Sequence, residues 1–139
     1  MTRAILDTNV YVAALLSRDA SPARLIRALS EGLFDAIVCP RLLGELRGVL
    51  ARPKIAVSIA PDDAQSYMEW LSRVAILAPD PRHIESVSPD PDDDYLLALA
   101  RESGTQVIVS GDGHLLGLKC SGLRVLSPAM FADFVESLR

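Results

Sequence analysis

The sequence predicts an α/β fold: a three-layer α/β/α domain built on a central parallel sheet of about five strands. Half of the 139 residues are apolar and only 5% are aromatic, so the core consists mainly of aliphatic side chains, as in sheets covered by helices. Short apolar segments typical of buried strands alternate with longer segments of helical periodicity. No repeat or linker divides the chain, so we expect a single domain over residues 1–139.

Apolar periodicity and the positions of the prolines predict the individual elements. The predicted strands are Arg3–Leu6, Ala36–Cys39, Val74–Leu77, Val107–Ser110 and Arg124–Leu126. The predicted helices are Val10–Leu16, a segment opened by Ser21 and Pro22, Pro40–Arg52, a segment opened by Pro61, Asp92–Ser103, His114–Leu118 and Pro128–Leu138. Proline suits the first turn of a helix, because the N–H group that it lacks would have no partner within the helix there. The stretch Ala78–Pro91 holds four prolines and is predicted to be a loop.

Four carboxylates are predicted to meet at one edge of this sheet. Asp7 follows the first strand and Asp112 follows the fourth. Ligands of open α/β sheets bind beyond the carboxyl ends of the strands, so both acids lie at the binding edge. Asp93 lies at the start of a helix that leads back along the sheet, and Glu45 lies half-buried in the helix that leaves the second strand. We therefore expect Asp7, Glu45, Asp93 and Asp112 to converge.

Converging carboxylates predict a bound cation, because they would otherwise repel one another. Mg²⁺ and Mn²⁺ prefer oxygen ligands of this kind, and such ions activate water and stabilise a phosphodiester undergoing displacement. The predicted reaction is metal-assisted phosphodiester hydrolysis, with the four acids as both metal ligands and catalytic residues. Each acid also has an ordinary role open to it, as a turn residue, a helix cap or a surface group. The functional interpretation therefore depends on their convergence.

Three adjacent aspartates open the helix that carries Asp93. With a start near Asp92, that residue is the predicted N-cap, and Asp93 shares the face turned toward the sheet with Leu97. Asp94 is predicted to point away from the sheet, in line with Arg101. Asp93 is therefore the aspartate expected to reach the strand ends.

Charge and cysteine content restrict the class of protein further. The net charge is −4, whereas proteins that hold nucleic acid by phosphate contacts alone are usually basic; we therefore expect a metal ion to meet a phosphate-bearing substrate. Cys39 and Cys120 form neither a metal-ligand spacing nor a disulfide framework. No apolar run is long enough for a membrane helix, and the first residues do not resemble a signal peptide. These features predict a cytoplasmic protein without a membrane partner.

Four segments resemble, in order, the motif regions of PIN domains: ILDTNVYVAALL, PRLLGELRGVL, SPDPDDDYLLALA and VIVSGDGHLL. The resemblance spans nearly the whole chain and is closest to the toxin components of toxin–antitoxin pairs, the VapC-like ribonucleases. It implies a parallel sheet between helices, an Mg²⁺- or Mn²⁺-dependent ribonuclease activity on RNA, a homodimer and a cognate antitoxin protein. Carried over by position, the family's acids are Asp7, Glu45, Asp93 and Asp112, with Asn9 and Ser110 as supporting polar residues.

One position departs from the pattern that the resemblance implies. Relatives often carry a second acid two residues after the aspartate of the SGD segment, and here that position is His114. His114 could contact substrate phosphate or the metal shell, or it could be an ordinary histidine at a helix start.

Other functions fit the residues less well. A phosphatase that forms an aspartyl-phosphate would need a second acid two residues after Asp7, where the sequence has Asn9. The glycines around Asp112 do not match a dinucleotide-binding motif, and no phosphate-loop motif occurs. A PIN-fold binding module that has lost its chemistry remains open as an alternative, although all four acids are present.

Overall fold

The computed structural model describes residues 1–86, 90–111 and 122–139. Within these residues five strands are present: β1 (Arg3–Leu6), β2 (Asp35–Val38), β3 (Ile76–Leu77), β4 (Val107–Val109) and β5 (Arg124–Leu126). The described helices are α1 (Thr8–Leu16), α2 (Ser21–Ser30), α3 (Pro40–Leu50), α4 (Pro53–Ala56), α5 (Pro61–Val74), α6 (Pro91–Ser103) and α7 (Pro128–Glu136). The predicted fold, a central parallel sheet between helices, is confirmed. The predicted helix His114–Leu118 lies outside the described residues.

The strand order creates a crevice beside β1. All four pairings are parallel, and the order across the sheet is β3-β2-β1-β4-β5. The chain runs outward from β1 through β2 to β3, and then returns to β4 on the other side of β1. The carboxyl ends of β1 and β4 therefore flank the point at which the strand order reverses, which is where ligands of such sheets bind.

The core lies on both sides of the central strands. Ile5, Leu6 and Ile108 are completely buried, as expected for strands covered by helices on both faces. Helix α2 packs against α1 and α7, which buries its Leu25 and Leu29. Among the described residues, no helix combines the length and apolar character needed to cross a membrane.

The start of α6 differs from the prediction. Asp90, and not Asp92, is the N-cap, because its side chain accepts a hydrogen bond from the Asp92 N–H at 2.9 Å. Pro91 occupies the first turn, where the lack of an N–H group costs no helical hydrogen bond. The N-cap is therefore the residue before it. The predicted cap at Asp92 is therefore wrong.

Asp94 lines a cavity together with Arg101, the residue with which it was predicted to lie in line. The side chain of Asp94 is buried, and so are those of its neighbours from Asp93 to Ala100. Helix α6 is therefore enclosed from Asp93 to Ala100, whereas Pro91 and Asp92 at its start are exposed. Arg101, which directly follows Ala100, donates to the carbonyl of His83 at 2.6 Å and lies 3.8 Å from Glu85.

Candidate active site

A cavity of about 530 Å³ opens at the carboxyl edge of the sheet. Three of the four predicted acids line it: Asp7, Glu45 and Asp93. The other lining residues are Thr8, Asn9, Gly48, Val49, Arg52, Asp90, Asp92, Tyr95 and Leu96. Asp112, the fourth predicted acid, and His114 lie outside the described residues. Ser110 and Gly111, which precede Asp112, are described and directly follow the carboxyl end of β4.

Asp7 is attached to β4 through both its backbone and its side chain. Its N–H donates to the carbonyl of Val109 at 2.9 Å, and its Oδ2 accepts a hydrogen bond from the Ser110 hydroxyl at 3.0 Å. Ser110 is completely buried, so this bond is protected from competing water. The carboxylate is thereby oriented at the point where the strand order reverses.

Glu45 is held by two neighbouring residues, Tyr95 and Arg41. The Tyr95 hydroxyl donates to Glu45 Oε2 at 3.1 Å, and Arg41 Nε lies 3.5 Å from Oε1. The Arg41 guanidinium also stacks over the Tyr95 ring, 4.1 Å from its centre, a favourable cation–π contact. Burial, and next the charge of Glu45, raise the pKa of Tyr95 far above its ordinary value. Tyr95 therefore stays protonated and remains a donor.

Asp93 lies in the first turn of α6, with 3% of its surface exposed. Its own N–H donates to the carbonyl of Asp90 at 3.1 Å. The positive end of the helix dipole favours the ionised form of a carboxyl group at this place, and a metal ligand must be ionised. The residue thus combines burial with a place at the N-terminal end of a helix.

Two polar residues next to Asp7 complete this part of the cavity. Thr8 is buried, whereas Asn9 is exposed. Asn9 and Asp7 also line a second opening of about 430 Å³ on the side of Gly111. The two openings meet at Asp7, so a ligand can approach this carboxylate from both sides.

The donor set suits a hard divalent cation. Carboxylate oxygens from three elements border one cavity, and no sulfur or imidazole lines it among the described residues; this chemistry favours Mg²⁺ or Mn²⁺. Within residues 1–86, 90–111 and 122–139, no three Asp, Glu, His or Cys side chains are grouped closely enough to hold a metal by themselves. Such a site would therefore draw on Asp7, Glu45 and Asp93 together with Asp112 or bound water.

Sequence reasoning missed three residues of this site. Tyr95 meets Glu45 and Arg41 through contacts between distant parts of the chain, which no local pattern predicts. Arg41 could have been found, because it precedes Glu45 by four residues on the same helix. Arg52 could have been found, because it follows Glu45 by seven residues and so continues the same helical face.

Comparisons with known proteins agree with this fold. A family model described as "PIN domain" matches residues 3–114. An uncharacterized protein of Methanocaldococcus jannaschii is 24% identical over 118 residues, which cover 84% of this chain and 75% of that protein. The crystal structure of PAE2754 from Pyrobaculum aerophilum superposes with a TM-score of 0.65 at 15% identity, covering 98% of this chain and 90% of the other.

The family match covers most of the chain, including the strands and helices that carry Asp7, Glu45 and Asp93. PIN domains are typically nucleases and generally use divalent metal ions, which agrees with a cavity bordered by carboxylates. The chain belongs to the PIN domain family.

Proposed function

We propose that this protein is a metal-dependent endoribonuclease that hydrolyses RNA phosphodiester bonds, with Asp7, Glu45, Asp93 and Asp112 as catalytic residues and metal ligands. The observation that carries the proposal is the convergence of three of these acids on one cavity, at the crevice between β1 and β4. The proposed enzyme acts in the cytoplasm.

The proposed chemistry divides between the metal and the chain. When bound, Mg²⁺ or Mn²⁺ would supply an activated water and offset the charge that develops on the phosphate. The protein's contribution is to keep the ligands oriented before binding: Ser110 holds Asp7, and Tyr95 with Arg41 holds Glu45. Ligands that are already oriented need little reorganisation when the ion and the substrate arrive.

The direct test is cleavage of a panel of single-stranded RNAs with Mg²⁺ or Mn²⁺. We expect the wild-type protein to cleave RNA and a chelator to abolish this cleavage. Asp7→Asn and Asp93→Asn should eliminate cleavage without unfolding the protein, whereas the control Asp19→Asn, at an exposed site, should retain it. Cleavage that survives chelation would contradict metal dependence. Cleavage of DNA but not RNA would show that the protein is a nuclease but would contradict the proposal that RNA is its substrate.

The finer proposal is that the enzyme is the toxin of a toxin–antitoxin pair, which the resemblance of its motif regions to VapC-like toxins supports. Expression of the wild-type chain in a bacterial host is then expected to arrest growth, and Asp7→Asn is expected to relieve the arrest. Co-expression of the protein encoded next to it should restore growth. Equal growth with wild-type and Asp7→Asn chains would contradict the toxin role. The proposed ribonuclease activity would then still depend on the cleavage assay alone.

A further inference from the structure

Charge is distributed unevenly between the two walls of the cavity. The wall formed by α6 and its cap contributes three aspartates, Asp90, Asp92 and Asp93. The facing wall belongs to α3 and the residues after it, and contributes Glu45, Gly48, Val49 and Arg52. A polyanion that enters the cavity is repelled by the first wall and finds a cation at the second.

The residues of the second wall share one helical face. Positions 45, 48, 49 and 52 follow the i, i+3, i+4, i+7 spacing of such a face. Arg52 lies just past the end of α3, so it stands roughly 10 Å from Glu45 along the helix direction. Gly48 lies between them, and no atom comes within 4 Å of the place where a Cβ would stand. The wall from Glu45 to Arg52 is therefore open.

The guanidinium of Arg52 is available for a ligand. The side chain is exposed and forms no ion pair with any residue that the structure describes. Arg41, the other arginine near the cavity, is engaged with Glu45, Asp92 and the Tyr95 ring. Arg52 is also the one cation among the described residues that line the cavity.

From this geometry we infer that Arg52 binds a phosphate of the RNA adjacent to the scissile one, so that the strand runs along the α3 wall, across Gly48, and away from Asp90 and Asp92. The planar guanidinium suits two parallel hydrogen bonds to phosphate oxygens. The inference rests on the proposed ribonuclease activity, because it assigns a position to that enzyme's substrate.

The test measures the affinity of a single-stranded RNA oligonucleotide in the cleavage-deficient Asp7→Asn background with Mg²⁺ present. Arg52→Ala is expected to weaken binding about ten-fold, since a hydrogen bond to a charged group is lost. It should also reduce the slope of log affinity against log salt by about 0.7, the value for one phosphate contact on a single strand. Arg52→Lys should lose less affinity than Arg52→Ala, because lysine keeps the positive charge but lacks the planar guanidinium that forms two parallel hydrogen bonds.

Arg47→Ala is the matched control. Arg47 is an exposed arginine on the same helix, but it borders a different groove, together with Leu50 and Met68, so its removal should leave both the affinity and the salt slope unchanged. In the active protein, Arg52→Ala should raise KM about ten-fold at nearly constant kcat, because the contact lies away from the reacting atoms. Melting temperatures of both variants should match that of wild type.

The possible failures are distinguishable. If the wild-type protein cleaves RNA and Arg52→Ala binds as Arg47→Ala does, or retains the wild-type salt slope, the assignment of Arg52 is overturned and the ribonuclease stands. If the wild-type protein cleaves no RNA and Asp7→Asn binds none, the proposed function is wrong, and the assignment of Arg52 fails with it.

Discussion

Buried hydroxyl groups orient two of the three acids in the cavity. Ser110 donates to Asp7 and Tyr95 donates to Glu45, both at about 3 Å. In each case the donor is almost completely buried, and a buried hydroxyl without a partner would cost free energy. These bonds therefore favour one orientation of each carboxylate before any ligand binds.

Removal of the Tyr95 hydroxyl should weaken metal binding. Tyr95→Phe keeps the ring beneath Arg41 but removes the donor to Glu45, so the carboxylate loses its fixed orientation. We expect the affinity for Mn²⁺, measured by titration calorimetry, to fall about 10- to 100-fold, as is usual when a group that orients a metal ligand is lost.

Tyr67→Phe is the control for this change. The Tyr67 hydroxyl is likewise buried and donates to a backbone carbonyl, that of Tyr11, but Tyr67 does not line the cavity. It should lower stability without altering Mn²⁺ affinity. A Tyr95→Phe protein that binds Mn²⁺ as wild type does would show that the hydroxyl has no part in orienting Glu45.

At the scale of the element, the start of α6 depends on one side chain. Asp90→Ala removes the cap that accepts the Asp92 N–H and should lower the free energy of unfolding by about 1 kcal/mol. Asp92→Ala changes an exposed side chain that caps nothing and should cost much less. Urea denaturation of the two variants gives the comparison. A larger loss for Asp92→Ala would restore the cap position predicted from sequence.

A second prediction concerns the contact between α2 and α7. Arg24 Nε donates to Glu136 at 3.1 Å, and Arg24 also bonds to Asp133 at 2.7 Å. The hydrogen bond from Arg24 lowers the pKa of Glu136. A lowered pKa contributes stability above the ordinary pKa of glutamate, and this stability is lost as the pH falls through the lowered value. Glu136→Gln should therefore reduce the melting temperature more at about pH 7 than at about pH 3.

The matched control for this pH dependence is Glu69→Gln. Glu69 is exposed and accepts its hydrogen bond from Gln65, a neutral side chain in the same helix. It should show no such difference between the two pH values. A Glu136→Gln effect of the same size at both would contradict the role of its charge.

The elements were predictable where local chemistry determines them. Prolines in the first turn mark the starts of α2, α3, α5 and α7, and the strands are short apolar runs. The one-turn helix α4 was not predicted, because Pro53, which directly follows the predicted helix Pro40–Arg52, begins a further helix. The burial of Asp94 could not be predicted, since it depends on the parts of the chain that pack around α6 between Asp93 and Ala100.

The candidate site divides in the same way. Asp7, Glu45 and Asp93 follow from the rule that parallel strands present their carboxyl ends to ligands. The hydrogen bond from Tyr95 to Glu45 does not, because the two residues lie 50 positions apart in the chain. The meeting of Tyr95 with Glu45 is a consequence of how α3 and α6 pack, and no local sequence pattern predicts it. The part of the site that includes Asp112 stays a prediction.

At the scale of the whole molecule, the apolar stripe of α2 is used within the chain. Helices α1 and α7 cover Leu25 and Leu29, so these side chains offer no surface to a second copy. The homodimer stays a prediction that the resemblance alone supports. Sedimentation at tens of micromolar should give twice the monomer mass, and a monomer at that concentration would contradict it.

Metal should stabilise the whole fold if the acids form a site. Asp7, Glu45 and Asp93 border one cavity together with Asp90 and Asp92, and their repulsion opposes folding when no cation is present. An ion that binds the native state preferentially raises the free energy of unfolding by linkage. Millimolar Mg²⁺ or Mn²⁺ should therefore raise the melting temperature of the chelator-treated protein.

Substitution of one acid tests whether the same residues are responsible for both effects. Asp93→Asn should raise the melting temperature of the metal-free protein, because one charge leaves the cluster, and should diminish the rise that metal produces. The control Asp19→Asn alters an exposed aspartate away from the cavity and should change neither value. An equal metal response in Asp93→Asn and wild type would mean that the ion binds elsewhere, and an absent response in wild type would argue against a metal site formed by these acids.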